Sequence, residues 1–246
     1  MIHFLRKFRQ KLLGEKNLSQ YLLYGIGEVV LVVIGILIAL QFNNWNNEKK
    51  DREKEAYYLK SIQTSISLSQ NELDRVISDA ASISASADTL FQMLAHQKYE
   101  LLHGPLLDSL MFNAGDYSRI SLNDGGIREI LNTGALDIIR DEQIRISLAS
   151  WDEHIHKIRK FEEETQYYSR NYFKFLNNYI DISLSEVEAS SIVIPAKRDD
   201  LLVNPELRNY LGGIAIIHSG MHRRYMEEKM ALDTLSAMID QHLKKG

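Results

Sequence analysis

Two histidine pairs are the first residues in this chain whose spacing could do chemistry. His218 and His222 lie four apart in the run HSGMH. On a helix that spacing puts two imidazoles on one face, where they can share a metal. Serine follows the first histidine, so the HExxH pattern of a metalloprotease is not formed. His154 and His156 are two apart and would diverge on a helix. Ordinary surface or buried histidines are the default for both pairs, so no metal and no cofactor is expected. Asn123-Asp124-Gly125-Gly126 sets a carboxylate beside two glycines, a composition that usually serves turn geometry. Tyr167, Tyr168, Tyr172, Phe173, Phe175 and Tyr179 form an aromatic cluster that core packing accounts for, with a ligand groove between helices as the other reading. The absence of cysteine excludes a thiol nucleophile, a disulfide framework and thiolate metal ligands. No phosphate loop, nucleophile elbow or supported pair of catalytic carboxylates is present, and the chain is not expected to be an enzyme.

One carboxylate stands in an unusual place. Glu28 lies inside YLLYGIGEVVLVVIGILIALQFNNW, Tyr21 to Trp45, which is long and apolar enough to cross a bilayer as a helix. Tyr21 and Tyr24 mark one edge, Phe42 and Trp45 the other, as aromatic anchors at two membrane–water interfaces do. At helical spacing Glu28, Val32, Gly35 and Ala39 share a face, and the small Gly35 and Ala39 would let another helix approach closely. Three readings of Glu28 stay open. It can be protonated and hydrogen-bonded between helices, pair with a cation on another membrane protein, or reach the headgroups from about 6 Å beyond Tyr24.

Five basic residues against one acid precede the span: Arg6, Lys7, Arg9, Lys11 and Lys16 against Glu15. They place the N-terminus in the cytoplasm by the positive-inside tendency, with the following domain outside. Lys49, Lys50, Arg52 and Lys54 weaken that signal. Phe4, Leu5, Phe8 and Leu12 share one helical face of the tail. Residues 1–20 therefore read as an amphipathic segment laying Arg6, Lys7, Arg9 and Lys11 on anionic lipid, with a plain topology determinant as the other reading. No small-x-small cleavage site follows Leu40, so residues 21–45 should persist as an anchor.

The run from Phe4, Arg6, Lys7, Arg9, Leu12 and Leu13 through Tyr21, Tyr24, Gly27, Glu28, Gly35, Gln41, Asn43, Trp45 and Asn46 resembles the N-terminus of a family of single-span membrane proteins from Bacteroidota. The likeness covers roughly the first fifth of the chain, with a looser one around LNTGALDIIRDEQIRISLASWDEHI. It implies a Gram-negative inner membrane, where the outside domain of the positive-inside reading would be periplasmic, and it brings no activity.

Residues 46–246 are expected to form one helical domain. Hydrophobic residues make up 45% and charged residues 25% of the chain, ordinary for a folded protein. Three prolines and thirteen glycines are few, which favours long helices. Leu59, Ile62, Ile66, Leu73, Val76, Ala80, Ile83, Ala87, Leu90 and Leu94 recur in three- and four-residue steps, which predicts one helix over about 46–97, roughly 75 Å long. Serines and alanines are dense along it; small residues permit close helix packing, and a weakly packed, solvated face is the favoured reading. A short helix is expected to about Ala114 and a turn or two of helix over Ile127–Asn132, stopped at Gly134. A second long helix capped by Asp141 is expected to run to Tyr179. SSIVIP reads as a short extended piece. Asn204-Pro205-Glu206 predicts the start of a last helix to about Lys244. The fold class is all-α, a single N-terminal transmembrane helix followed by an elongated helical bundle.

The mildly acidic main domain argues against nucleic acid as a partner. The expected partners are the lipid bilayer and either further copies of the chain or another membrane protein. The function these readings favour is a membrane-anchored scaffold or accessory subunit of an envelope complex. The alternative is an extracytoplasmic ligand-binding sensor domain that signals through a partner, since about 20 residues precede the span and no output module is attached.

Overall fold

The computed structural model describes residues 18–186 and 191–245, with side chains over residues 22–184 and 191–245. The fold is all-α. Among the described residues the extended structure is an isolated antiparallel bridge between Ile180 and Val193, where SSIVIP predicts an extended piece. Helix α1 spans Leu18–Ala95. The chain divides into two compact units at Glu55–Ala56.

In the first unit, the residues from Leu22 to Glu48 are exposed or half-exposed all round the helix. A helix satisfies its own backbone hydrogen bonds and so needs no partner to persist in an apolar medium. It is one helix long and apolar enough to cross a membrane.

The second unit contains the rest of α1, then α2 (Gly104–Gly115), α3 (Gly125–Thr133), α4 (Glu142–Ala149), α5 (Trp151–Leu176), α6 (Arg198–Val203) and α7 (Pro205–Lys245). Its core follows the predicted ladder on α1. Leu59, Ile62, Leu73 and Val76 pack with Ile144, Leu148, Trp151, Ile158, Tyr225, Leu232 and Ile239. A second cluster joins Leu90, Leu94, Leu107, Met111, Tyr172, Leu176, Leu207 and Leu211. Helices α1 and α7 run antiparallel: Gln63 meets Asp240, Gln70 donates to Asp233 at 2.6 Å, and Lys229 reaches Asp74.

The helix boundaries have local causes. Asp141 Oδ1 accepts from the Gln143 and Ile144 N–H groups at 2.9 and 3.1 Å. Asn204 Oδ1 accepts from Glu206 N–H at 2.8 Å, with Pro205 in the first turn. Gly134, at φ 67°, ends α3 in the left-handed conformation that a side chain would resist.

The expected second long helix is two helices. Ser150 interrupts it with φ −84° and ψ −1°, and its hydroxyl donates to the Ser147 carbonyl at 3.0 Å. A serine that bonds back to its own backbone weakens helix continuation. Trp151, next in sequence, is held from outside by its indole N–H on Asp124 Oδ2 at 3.2 Å. Helix α5 also stops at Leu176, before Tyr179.

The serine-rich stretch of α1 is not a loose face. Ser65 and Ser69 are buried. Ser65 Oγ accepts from Gly126 N–H at 3.0 Å, and Ser69 Oγ accepts from Asn123 N–H at 3.0 Å while its hydroxyl donates to the Asn123 carbonyl. These small residues take the 123–126 segment directly onto the helix surface. The same logic applies at Gly213, where a Cβ would sit 2.8 Å from Tyr168 Cε1, so the glycine permits α5 and α7 to close on each other.

Candidate functional site

Two places gather the chemistry, one in each unit. On α1, Glu28, Val32, Gly35 and Ala39 are all exposed, and Cβ atoms added at Gly25, Gly27 or Gly35 would meet nothing within 4 Å. The face is open and narrow. On another side of the helix, Ile34, Leu37, Ile38, Gln41, Phe42 and Trp45 line a shallow apolar groove. Its edge is the ring pair Phe42–Trp45, whose centroids lie 5.7 Å apart. Tyr24 is half-exposed at the other end. Tyr21 falls on the helix, with its side chain outside the described residues, as are Arg6, Lys7, Arg9 and Lys11.

In the second unit, two carboxylates are buried along the α5–α7 seam. Glu162 is 3% exposed. Its Oε1 accepts from Ile120 N–H at 2.7 Å and from the Tyr225 hydroxyl at 2.9 Å; its Oε2 accepts from Arg159 at 2.7 Å. Arg119 stands 3.9 Å from Oε2. Both oxygens are occupied, and the carboxylate ties the segment after α2 to α5 and α7. Burial, then the neighbouring Glu162 charge, drives the Tyr225 phenol well above its ordinary range and keeps it a donor.

Glu228 is held differently. It is 6% exposed, its Oε2 lies 3.3 Å from His154 Nδ1, and its Oε1 has no hydrogen-bond partner among the described residues. Burial raises its pKa, and His154 opposes that rise. Arg224, one turn before it, lays its guanidinium 3.4 Å over the Phe161 ring instead.

The sequence-predicted residues fall as follows. His218 is buried, with Nδ1 unpartnered among the described residues, and burial lowers its pKa to about 4, leaving it neutral at pH 7. His222 is half-exposed one turn on. The described residues contain no group of three or more His, Asp or Glu arranged to hold a metal ion. His154 touches Glu228, whereas His156 is exposed. The 123–126 loop is a docking element: Asp124 Oδ2 accepts from the Trp151 indole and pairs with Arg128 Nε at 2.7 Å. The aromatic cluster splits. Tyr172 and Phe175 are core and meet the Tyr210 ring at 6.0 and 5.6 Å, while Tyr167 faces outward.

Comparison with protein families matches residues 28–192 to one described as Family of unknown function (DUF6090). The match covers about two thirds of the chain. This chain belongs to that family. None of the curated proteins and none of the solved structures matches it. The DUF6090 segment begins at Glu28, runs through α5 and ends at Ile192, one residue before the bridge residue Val193. It contains Glu162, His154 and the 123–126 loop, and it stops short of α7 with Tyr225 and Glu228.

The two buried glutamates are the residues that sequence reasoning missed. For Glu228 a signal was present. The apolar ladder of α7 steps seven residues from Tyr225 to Leu232 with no apolar residue at the position between, and Glu228 fills it. On α5, Phe161 keeps the ladder between Ile158 and Thr165 unbroken, so Glu162 leaves no such gap. Ile217, expected inside α7, is half-buried, and His218 takes the inward position.

Proposed function

We propose that this DUF6090 protein is a membrane-anchored helical scaffold or accessory subunit, with no reaction of its own. One observation carries the reading. The second unit buries a full core of its own, yet the most apolar stretch of the chain, the first part of α1, is left uncovered. Exposed apolar area of that kind is unstable in water and stable in hydrocarbon. The edges Tyr24, Phe42 and Trp45 suit two interfaces. The likeness of the first 46 residues to Bacteroidota single-span proteins and the basic tail support a bacterial inner membrane, a cytoplasmic N-terminus and a periplasmic bundle. Reporters active only in cytoplasm or only in periplasm, fused after Gly246, test this: a periplasmic signal is expected, and a cytoplasmic one would sink the orientation.

The face of Glu28, Val32, Gly35 and Ala39 is the contact for a second helix, from another copy or another membrane protein. Because a side chain at Gly35 touches nothing in its own chain, Gly35→Leu leaves the fold alone and blocks only close approach by a neighbour. Crosslinking in native membranes should show weaker association for Gly35→Leu. Glu28→Gln retains a hydrogen-bonding group, so assembly persists if the carboxyl bonds across helices and is released if Glu28 pairs with a cation. Unchanged assembly in both variants would reduce the helix to a simple anchor.

A further inference from the structure

In the α5–α7 seam the buried Glu228 meets the half-exposed imidazole of His154. Glu228 Oε1 has no hydrogen-bond partner among the described residues. Several charged groups on the surrounding elements are engaged elsewhere. From α5, Arg159 is on Glu162, and Lys157 pairs with Glu153 at 2.6 Å. From α4, Arg145 donates to the Ile139 and Arg140 carbonyls at 2.6 and 3.1 Å. From α1, Arg75 lies between Glu72 and Asp79, and Asp74 holds Lys229. On α7 itself, Arg224 covers Phe161 and Tyr225 donates to Glu162. The ionisable partner at Glu228 Oε2 is His154, whose side chain is 41% exposed.

We infer that His154 and Glu228 form a proton-operated clamp between α5 and α7, closed when the pair holds a solvent proton and slackened when it does not. With one proton on the pair, either an imidazolium faces a carboxylate or a neutral imidazole faces a carboxylic acid, and no uncompensated charge is buried. Loss of that proton leaves a carboxylate in the seam opposite a neutral ring, with one oxygen unpartnered among the described residues. The sign follows from burial raising the acid's pKa in the folded chain. The stabilisation is complete below the ordinary glutamate range, and it declines as pH rises through the folded value. The clamp stands independently of the membrane reading, since it lies wholly within the second unit.

The test is hydrogen exchange of the full-length protein in mild detergent, from about pH 4 to about pH 8.5, corrected for intrinsic exchange. Wild-type protection around His154 on α5 and around Glu228 on α7 should fall as pH rises across that range. Glu228→Gln, which cannot ionise, should flatten the profile. His154→Gln removes the group that opposes the rise in the acid's pKa, so the decline in protection should extend to higher pH than in wild type. If Glu228→Gln fails to fold, His154→Gln, altered at a half-exposed site, decides alone. A wild-type pH profile retained in either variant, or a fall of equal size in α2 peptides, overturns the clamp.

Discussion

Glu162→Leu should lower the stability of the helical bundle by about 3–5 kcal/mol, the cost of breaking a buried, hydrogen-bonded charge pair by removing one partner. Leucine fills nearly the same space, so lost volume is not the main term. What is lost is an acceptor for three donors: Ile120 N–H, the Tyr225 hydroxyl and Arg159. Ile120 and Tyr225 are buried and cannot turn to water, while the Arg159 side chain is 31% exposed and can. Leaving two buried donors unmet costs roughly 1–3 kcal/mol each. Glu162→Gln keeps the oxygen that Ile120 and Tyr225 share and frees only Arg159, so its loss should be about 1 kcal/mol. Tyr225→Phe should lie in the same range. At about 2–4 °C per kcal/mol for a unit of this size, the leucine variant should melt at least about 6 °C below wild type and the glutamine variant near it. Thermal unfolding of the three full-length variants followed by circular dichroism is the measurement. Equal losses for leucine and glutamine would show that Arg159, not the buried donors, sets the cost.

How far the fold was legible follows from which signals are local. The ladder Leu59 to Leu94, the Asn204-Pro205 start and the Gly134 stop depend on a few neighbouring residues, and each stands where the sequence puts it. The break at Ser150 depends on a residue 27 positions away, because Asp124 must be in place to hold Trp151. A continuous apolar period across 144–176 gives no hint of that. The packing of Ser65 and Ser69 was equally hidden. A serine on a helix reads as solvated until a second segment, here 123–126, arrives to use its hydroxyl. The site chemistry divides the same way. Glu28 announces itself by being charged amid apolar residues, whereas Glu162 and Glu228 look like ordinary acids on amphipathic helices. Only the seven-residue step from Tyr225 to Leu232 carries a signal, for Glu228, and the partners Ile120 and His154 come from pairings that no period encodes.

Gly126→Ala should destabilise the bundle by about 1–3 kcal/mol, while the same change at Gly125, next to it, should cost less than about 0.5 kcal/mol. Both glycines open α3, and neither has a positive φ, so backbone freedom does not distinguish them. Space does. A Cβ at Gly126 would fall 2.6 Å from the Ser61 carbonyl carbon and oxygen and 2.8 Å from Ser61 Oγ. The nearest obstruction is backbone of α1, which cannot swing aside as a side-chain tip can. At Gly125 the nearest atom is Asn123 Oδ1 at 4.0 Å, and the residue is exposed. To admit the methyl at Gly126, α3 must lift off α1. The bond from Gly126 N–H to Ser65 Oγ lengthens first, and the two bonds between Asn123 and Ser69 follow. Asp124 shifts with them and loosens its hold on Trp151. The loss should therefore exceed that of one overpacked methyl and approach the upper end of the range. Comparing the thermal midpoints of Gly125→Ala and Gly126→Ala isolates this effect, since composition, loop and helix position are otherwise alike. Similar midpoints for the two would mean that the pair serves the turn itself, and that contact with Ser61 places no limit on residue size.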